Sequence, residues 1–262
     1  MELELAQNLL KRILILGGTG EARDLAGLLV TKPGLVVISS LAGRTEMPQM
    51  PLGLVRSGGF GGISGLRDYL AQQSISAVID ATHPFASTIT EHGIQACQVA
   101  QIPYLRLTRP AWQPEAGDYW LVVHSHTEAA QEIPGRGNRI FLTIGRQELH
   151  HYRAVPGWFL MRMIDPPASG SEIPKGELRL ERGPFALADE LALLAAYRIN
   201  LMVSKNSGGV ATYSKIIAAR QLQLPVIMIQ RPEIPECEQV NTIHQAWDWL
   251  QGKLERSSSG NE

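Results

Sequence analysis

Short apolar runs alternate with amphipathic stretches along the first half of the chain. Ile13 to Leu16 is an unbroken apolar run that ends in glycine, as a buried strand does. From Glu21 to Val30 the apolar positions are Ala22, Leu25, Ala26, Leu28 and Leu29, which is helical spacing. Further strands are predicted at Leu35–Ile38, Leu52–Val55, Ala77–Ile79 and Pro103–Leu107, with helices over Leu66–Gln73 and Phe85–Ala100. Strand and helix in alternation predict an α/β fold with a mostly parallel, doubly wound sheet.

The rhythm then pauses and resumes. Thr108 to Asp118, with Pro110 and Pro114, reads as a linker. Beyond it, strands are predicted at Trp120–Val123, Arg139–Thr143, Trp158–Met163, Leu201–Ser204 and Val226–Ile229. Helices are predicted at Thr127–Glu132, Ala186–Tyr197 and Val210–Gln221. Asp165 to Lys175, rich in Pro, Gly and Ser, reads as a mobile loop. Two Rossmann-like domains are expected, over 1–107 and 108–256, with 257–262 a disordered tail.

Composition narrows the function classes. The 262 residues are 44% hydrophobic and 19% charged, enough apolar content for a sizeable core. A formal net charge of -1 gives no global attraction to nucleic acid or an anionic membrane, so any anion must be held by local Arg and Lys clusters. Cys97 and Cys237 are far apart and form no CxxC, which argues against a disulfide scaffold or thiolate metal site. No apolar run approaches the roughly 20 residues that span a bilayer. The first residues carry their acids before their basic pair, the wrong order for a secretory signal. A cytoplasmic location, without nucleic-acid or membrane partners, is the expectation.

The first strand-to-helix turn is Gly17-Gly18-Thr19-Gly20. Glycines there let a pyrophosphate approach the backbone, and the following helix aims free N–H groups and its positive dipole end at it. The turn is not GxGxxG, and a helix start with no ligand is the alternative. The second strand ends Ser39-Ser40-Leu41-Ala42-Gly43-Arg44, with no acid to accept from a ribose 2′-OH. Hydroxyls and a guanidinium suit a 2′-phosphate, so Ser39, Ser40 and Arg44 favour NADPH over NADH unless Arg44 is simply a solvated surface charge.

Other motifs fall at sheet edges. Gly58-Gly59-Phe60-Gly61-Gly62 is either backbone wrapped around a ligand, with Gly59 and Phe60 touching the cofactor, or a flexible loop. Asp80-Ala81-Thr82-His83-Pro84 follows the fourth strand. Asp80 and Thr82 either meet the cofactor or cap the next helix, and His83 either faces the nicotinamide or closes the turn. Ser204-Lys205-Asn206-Ser207-Gly208-Gly209 reads as an anion nest. Together with Arg106, Arg109, Arg146, Arg162, Arg182, Lys215 and Arg231, it points to an acidic ligand. His124 with His126, and His150 with His151, lack a further ligand at metal spacing, so no metal site is expected.

GGTGEAR at 17–23, SLAGR at 40–44, GGFGG at 58–62, DATHPFA at 80–86, RLTRPAW at 106–112, LTIGRQEL at 142–149, RGPF at 182–185 and KNSGG at 205–209 together resemble the precorrin-6A reductase family of cobalamin biosynthesis. The resemblance runs from about Ile13 to about Pro232. It implies NADPH-dependent reduction of one ring double bond of precorrin-6A, or its cobalt-containing form, to precorrin-6B. It also implies two Rossmann-like domains with a cleft between them for the polycarboxylate tetrapyrrole. Arg106, Arg109, Arg146, Arg182, Lys205, Ser207 and Lys215 are then the expected substrate-binding residues. Lys205 and His83 are the expected catalytic ones, Lys205 as proton donor. A monomer or weak dimer is expected. The competing readings are a non-catalytic NADP-sensing regulator and an NADPH reductase of another small acidic substrate.

Overall fold

The computed structural model describes residues 10–43 and 49–259. The chain begins with β1 (Lys11–Leu16), α1 (Gly20–Leu29), β2 (Leu35–Leu41), β3 (Leu54–Ser57), α2 (Gly62–Gln72), β4 (Ile75–Asp80), α3 (Ser87–Ala100) and β5 (Tyr104–Leu107). It continues with β6 (Tyr119–Val123), α4 (His126–Gln131), β7 (Arg139–Thr143), a 3₁₀ helix (Arg146–Tyr152), β8 (Trp158–Met163), β9 (Gly176–Leu180), α5 (Leu187–Ala196), β10 (Leu201–Lys205), α6 (Ser214–Gln221) and β11 (Pro225–Ile229). It ends with β12 (Gln239–Val240) and α7 (Ile243–Ser259).

Two compact units result, Met1–Arg109 with Glu233–Glu262, and Pro110–Pro232. Each holds one six-stranded sheet, ordered β12-β5-β4-β1-β2-β3 in the first and β6-β11-β10-β7-β8-β9 in the second. Every strand pairing is parallel. The α/β, Rossmann-like expectation is met.

The central strands are apolar without alternation because both of their faces are covered. In the first unit Ile13 and Ile15 pack with Leu25, Leu29, Ala246 and Leu250, drawn from α1 and α7. Leu14 and Leu16 face the other way, onto Leu66, Leu70, Ala96 and Cys97 of α2 and α3. In the second unit Phe141, Leu160, Met202 and Met228 pack against Leu194 of α5 and Ile216 and Ala219 of α6.

The expected division at 107/108 needs correction at the chain's far end. Residues 233–256 were assigned to the second domain, yet they complete the first. Gln239 and Val240 pair with Arg106 and Leu107, and the Arg106 and Thr108 N–H groups donate to Glu238 and Val240 carbonyls at 2.9 and 3.0 Å. Of the tail expected to be disordered over 257–262, α7 takes in 257–259, and 260–262 lie outside the described residues.

Each sheet reverses its strand order once, and the carboxyl ends flanking a reversal leave a crevice for ligands. In the first unit the reversal falls between β1 and β4, where Gly17–Gly20 and Ala81–His83 begin. In the second it falls between β7 and β10, where Thr143 and Lys205 end their strands.

Candidate functional site

The glycine turn is closed on one side and open on the other. Thr19 caps α1, its Oγ1 accepting from the Ala22 N–H at 3.1 Å and donating to the Ala81 carbonyl at 2.7 Å. That hydroxyl ties the turn to the end of β4. Gly18 has φ +114°, a conformation that side chains resist. A Cβ on Gly18 or Gly20 would meet no atom within 4 Å, so the turn faces open space. The first N–H groups of α1 and its positive dipole end flank that space. Thr82 Oγ1, buried and without a hydrogen-bond partner, lines a small pocket beside it with Thr19, Glu21 and Arg109.

Glu21 lies in the first turn of α1. Arg109 Nη1 donates to both of its oxygens, at 2.9 and 3.0 Å. Burial disfavours the Glu21 anion, but the Arg109 charge and hydrogen bonds override burial and hold the carboxyl below its ordinary range. Arg109 therefore sits by the glycine turn in the first unit.

The end of β2 carries Ser39 and Ser40, both buried. Ser39 Oγ has no hydrogen-bond partner, while Ser40 Oγ accepts from Arg56 Nη1 at 2.7 Å. Arg56 is in register with Ser40 across β2 and β3. It also donates to the Gly58 and Gly59 carbonyls at 2.9 and 3.0 Å, and lies 3.8 Å from the Phe60 ring centroid. So GGFGG shapes a shelf for a guanidinium. Arg44 lies outside the described residues. Sequence reasoning passed over Arg56 because only the strand register brings it to Ser40.

Asp80 departs from the cofactor role assigned to it. It is 1% exposed, and its carboxylate accepts from the Thr82 N–H (2.9 Å), Thr90 Oγ1 (2.6 Å) and the Tyr104 hydroxyl (2.8 Å). Its oxygens are spent on fixing the β4 turn. Within that turn His83 Nδ1 accepts from the Phe85 N–H at 3.2 Å, so the neutral ring carries its proton on Nε2.

In the second unit, the loop after β10 is tied inward. Asn206 is buried and exchanges two hydrogen bonds with the Trp112 backbone, at 2.8 and 3.1 Å. Arg231 donates to the Asn206 and Ser207 carbonyls, each at 3.1 Å. Gly208 has φ +69°, and a Cβ there would fall 2.0 Å from the Pro110 carbonyl oxygen. Close packing explains this glycine, and the expected open nest of N–H groups around Ser207 is replaced by a carbonyl clamp on Arg231.

Two predicted lysines meet where the second sheet reverses. Lys205 ends β10, and burial lowers its pKa against the opposing pull of Glu148. Lys215, in the first turn of α6, donates from Nζ to Thr143 Oγ1 at 2.9 Å. Burial pushes its pKa down to about 7, Arg162 and Lys205 add to the fall, and Glu190 opposes it. Arg162 and Glu190 form a buried ion pair at 2.7 Å. Arg146 starts the 3₁₀ helix after β7, with Nη1 donating to the Pro166 carbonyl at 2.8 Å, and Arg182 is exposed. Arg106 is 6% exposed and stands in the first unit, where β5 pairs with β12.

Among the described residues, no three His, Cys, Asp or Glu side chains are grouped to hold a metal ion, and no helix is long and apolar enough to cross a membrane.

Residues 12–251 match the family model described as precorrin-6x reductase CbiJ/CobK. A precorrin-6A reductase of Rhodococcus erythropolis is 47% identical, over 94% of this chain and 99% of that protein. A cobalt-precorrin-6A reductase of Priestia megaterium is 30% identical, over 85% of this chain and 91% of that protein. A solved structure of CobK precorrin-6A reductase superimposes with a TM-score of 0.87 at 38% identity, covering 93% of this chain and 97% of that one. With a family model matched from 12 to 251 and relatives alike over nearly their full length, this chain belongs to the precorrin-6x reductase family.

Proposed function

We propose that this protein is an NADPH-dependent reductase of cobalamin biosynthesis that saturates one double bond of the precorrin-6A macrocycle. The observation that carries the reading is the pairing of an open glycine turn at the first sheet's strand reversal with Ser40 and Arg56 at the end of β2. The residues fit the cofactor. Gly18 and Gly20 leave room for a diphosphate against the N-terminus of α1, and Thr82 Oγ1 is an unused polar atom beside it. The Ser39 and Ser40 hydroxyls and the Arg56 guanidinium provide the hydroxyl donors and cation that a 2′-phosphate needs. When bound, NADPH supplies a hydride.

The chain's own work is to bind, orient and protonate. Lys205, Lys215 and Arg146 give the second unit's sheet edge a cationic character suited to the acetate and propionate groups of a tetrapyrrole. Hydride chemistry calls for neither a protein nucleophile nor a protein-bound metal. Cobalt held by the macrocycle needs no protein ligand, so the cobalt-free and cobalt-containing substrates both fit.

The test is incubation with NADPH and precorrin-6A, with and without cobalt, while the NADPH absorbance is followed. Stoichiometric loss with either macrocycle supports the reading. NADPH binding without any loss would favour a redox-sensing regulator. Turnover with another small acid, and none with either macrocycle, would move the substrate class.

A further inference from the structure

We propose that Lys215 supplies the proton of the reduction and that Thr143 passes it to the macrocycle, an inference that rests on the reductase reading above. The two residues stand at the strand reversal of the second sheet, where α/β folds place their ligands. Thr143 is the last residue of β7 and is half-buried, so it is the more exposed residue of the pair. Lys215 lies behind it, 6% exposed.

Stability alone does not explain a lysine here. A buried ammonium is costly unless a counter-ion meets it. The acid that acts on it, Glu190, is paired with Arg162 at 2.7 Å. The acceptor Lys215 does have is a neutral hydroxyl, 2.9 Å away. Of the charged groups that act on it, two are cations and one is an acid. Arg162 faces it from β8, Lys205 from β10 and Glu190 from α5, with the Trp112 ring centroid 5.5 Å from Nζ. Lys215 also sits in the first turn of its own helix, where the dipole repels a cation. Lys205 is likewise lowered by burial and opposed by one acid, Glu148, but for Lys215 two cations, Arg162 and Lys205, add to the fall. Of the two lysines, Lys215 is the one poised to give up a proton near neutrality, and its pKa of about 7 agrees.

The step balances. Hydride adds to one carbon of the double bond, and the electron pair of that bond moves to the neighbouring carbon. That carbon forms its new C–H bond with the Thr143 hydroxyl proton. Thr143, which at rest donates to the Val203 carbonyl at 3.2 Å, takes a proton from Lys215 as it releases its own. Lys215 is left as a neutral amine, and water recharges it between turnovers. A bound polycarboxylate raises the proton affinity of Lys215, so substrate itself loads the acid.

The experiment compares the wild type with Lys215→Met, Lys215→Arg and Thr143→Val. Circular dichroism and NADPH titration serve as checks of the fold. Arginine keeps the charge but does not release a proton. In the wild type, kcat/KM should fall as pH rises through about 7, and kcat should fall at higher pH. All three variants should slow single-turnover reduction by roughly 100-fold or more at saturating macrocycle. Both Lys215 variants should also lose the alkaline limb. Calorimetry of macrocycle binding at about pH 8, in two buffers of different ionisation enthalpy, gives a readout independent of turnover. The wild type should take up a proton on binding and the Lys215 variants should not. A Lys215 variant within about threefold of the wild-type rate, alkaline limb retained, would overturn the proposal. So would the absence of proton uptake by the wild type. Proton uptake without NADPH oxidation would count against the reductase reading and leave the charge coupling of Lys215 standing.

Discussion

Arg109 reaches back across the sequence to bind both carboxylate oxygens of Glu21, at 2.9 and 3.0 Å. The pair puts an acid, neutralised, in the first turn of the helix whose N-terminus should face a diphosphate. Arg109→Ala exposes that space to an unpaired anion. NADPH affinity is expected to fall by about 1–3 kcal/mol. Glu21→Gln added to Arg109→Ala should recover most of the loss, because the repulsion goes with the charge. Fluorescence titration of the two single variants and the double decides it. Equal losses in Arg109→Ala and the double variant would mean that Arg109 acts by itself.

Arg56 should set the choice between cofactors. Arg56→Ala removes the guanidinium held against Ser40 and Phe60. It is expected to cost NADPH about 1.5–3 kcal/mol and to leave NADH nearly unchanged. Titrating both nucleotides against the variant checks this. A parallel loss for both would mean that Arg56 only shapes the loop.

Gly20 separates binding from folding. Its missing Cβ faces open space, so Gly20→Val should fold normally while its side chain fills the room a phosphate needs. NADPH affinity should drop by on the order of 100-fold, about 2.7 kcal/mol. The thermal midpoint should stay near that of the wild type. An unchanged affinity would put the phosphates on another loop.

Lys215 should leave a signature in the pH dependence of stability. The unfolded side chain titrates near its ordinary value of about 10.4, the folded one at about 7. Between those values the unfolded chain holds more protons, so this residue makes stability rise with pH, by at most about 1.4 kcal/mol per pH unit. Below the folded value the cost of the buried charge is fully present. Lys215→Met removes that cost, so its advantage over the wild type should be largest at about pH 6 and shrink towards about pH 10. Urea unfolding across this range measures the gap, and a constant gap would contradict the shift.

The strands that form the two sheet centres were legible because each carries an unbroken run of at least three apolar residues. Arg139–Thr143 and Trp158–Met163 were bounded to the residue. β9 was missed because its five residues are mostly exposed at a sheet edge and carry no apolar run. β12 has two residues, too few for any periodicity, and its partner β5 is more than a hundred positions away. The helix α7 did carry a signal in Ala246, Leu250 and Leu254, one helical turn apart, that was not read. The glycine turn was legible as a site because local sequence makes it. Arg56, Arg109 and Lys215 took their places only through pairing across sheets and loops. The substrate-binding role expected of Arg106 and Arg109 rested on residue type and loop position alone.

The return of β12 and α7 to the first sheet sets an order for synthesis on the ribosome. The second unit is one continuous stretch, Pro110–Pro232, and all of it is available before the first unit is whole. Until residues 233–259 emerge, β5 is an unpaired parallel edge. Leu25, Leu29, Leu105 and Leu107 also lack the cover of Ala246 and Leu250. An exposed edge beside an apolar face invites pairing with another nascent chain. A chain cut after Pro232 should therefore keep a protease-resistant second unit while its first unit is digested, a pattern limited proteolysis would reveal. The first unit is begun before the second and completed after it, so its maturation waits on α7.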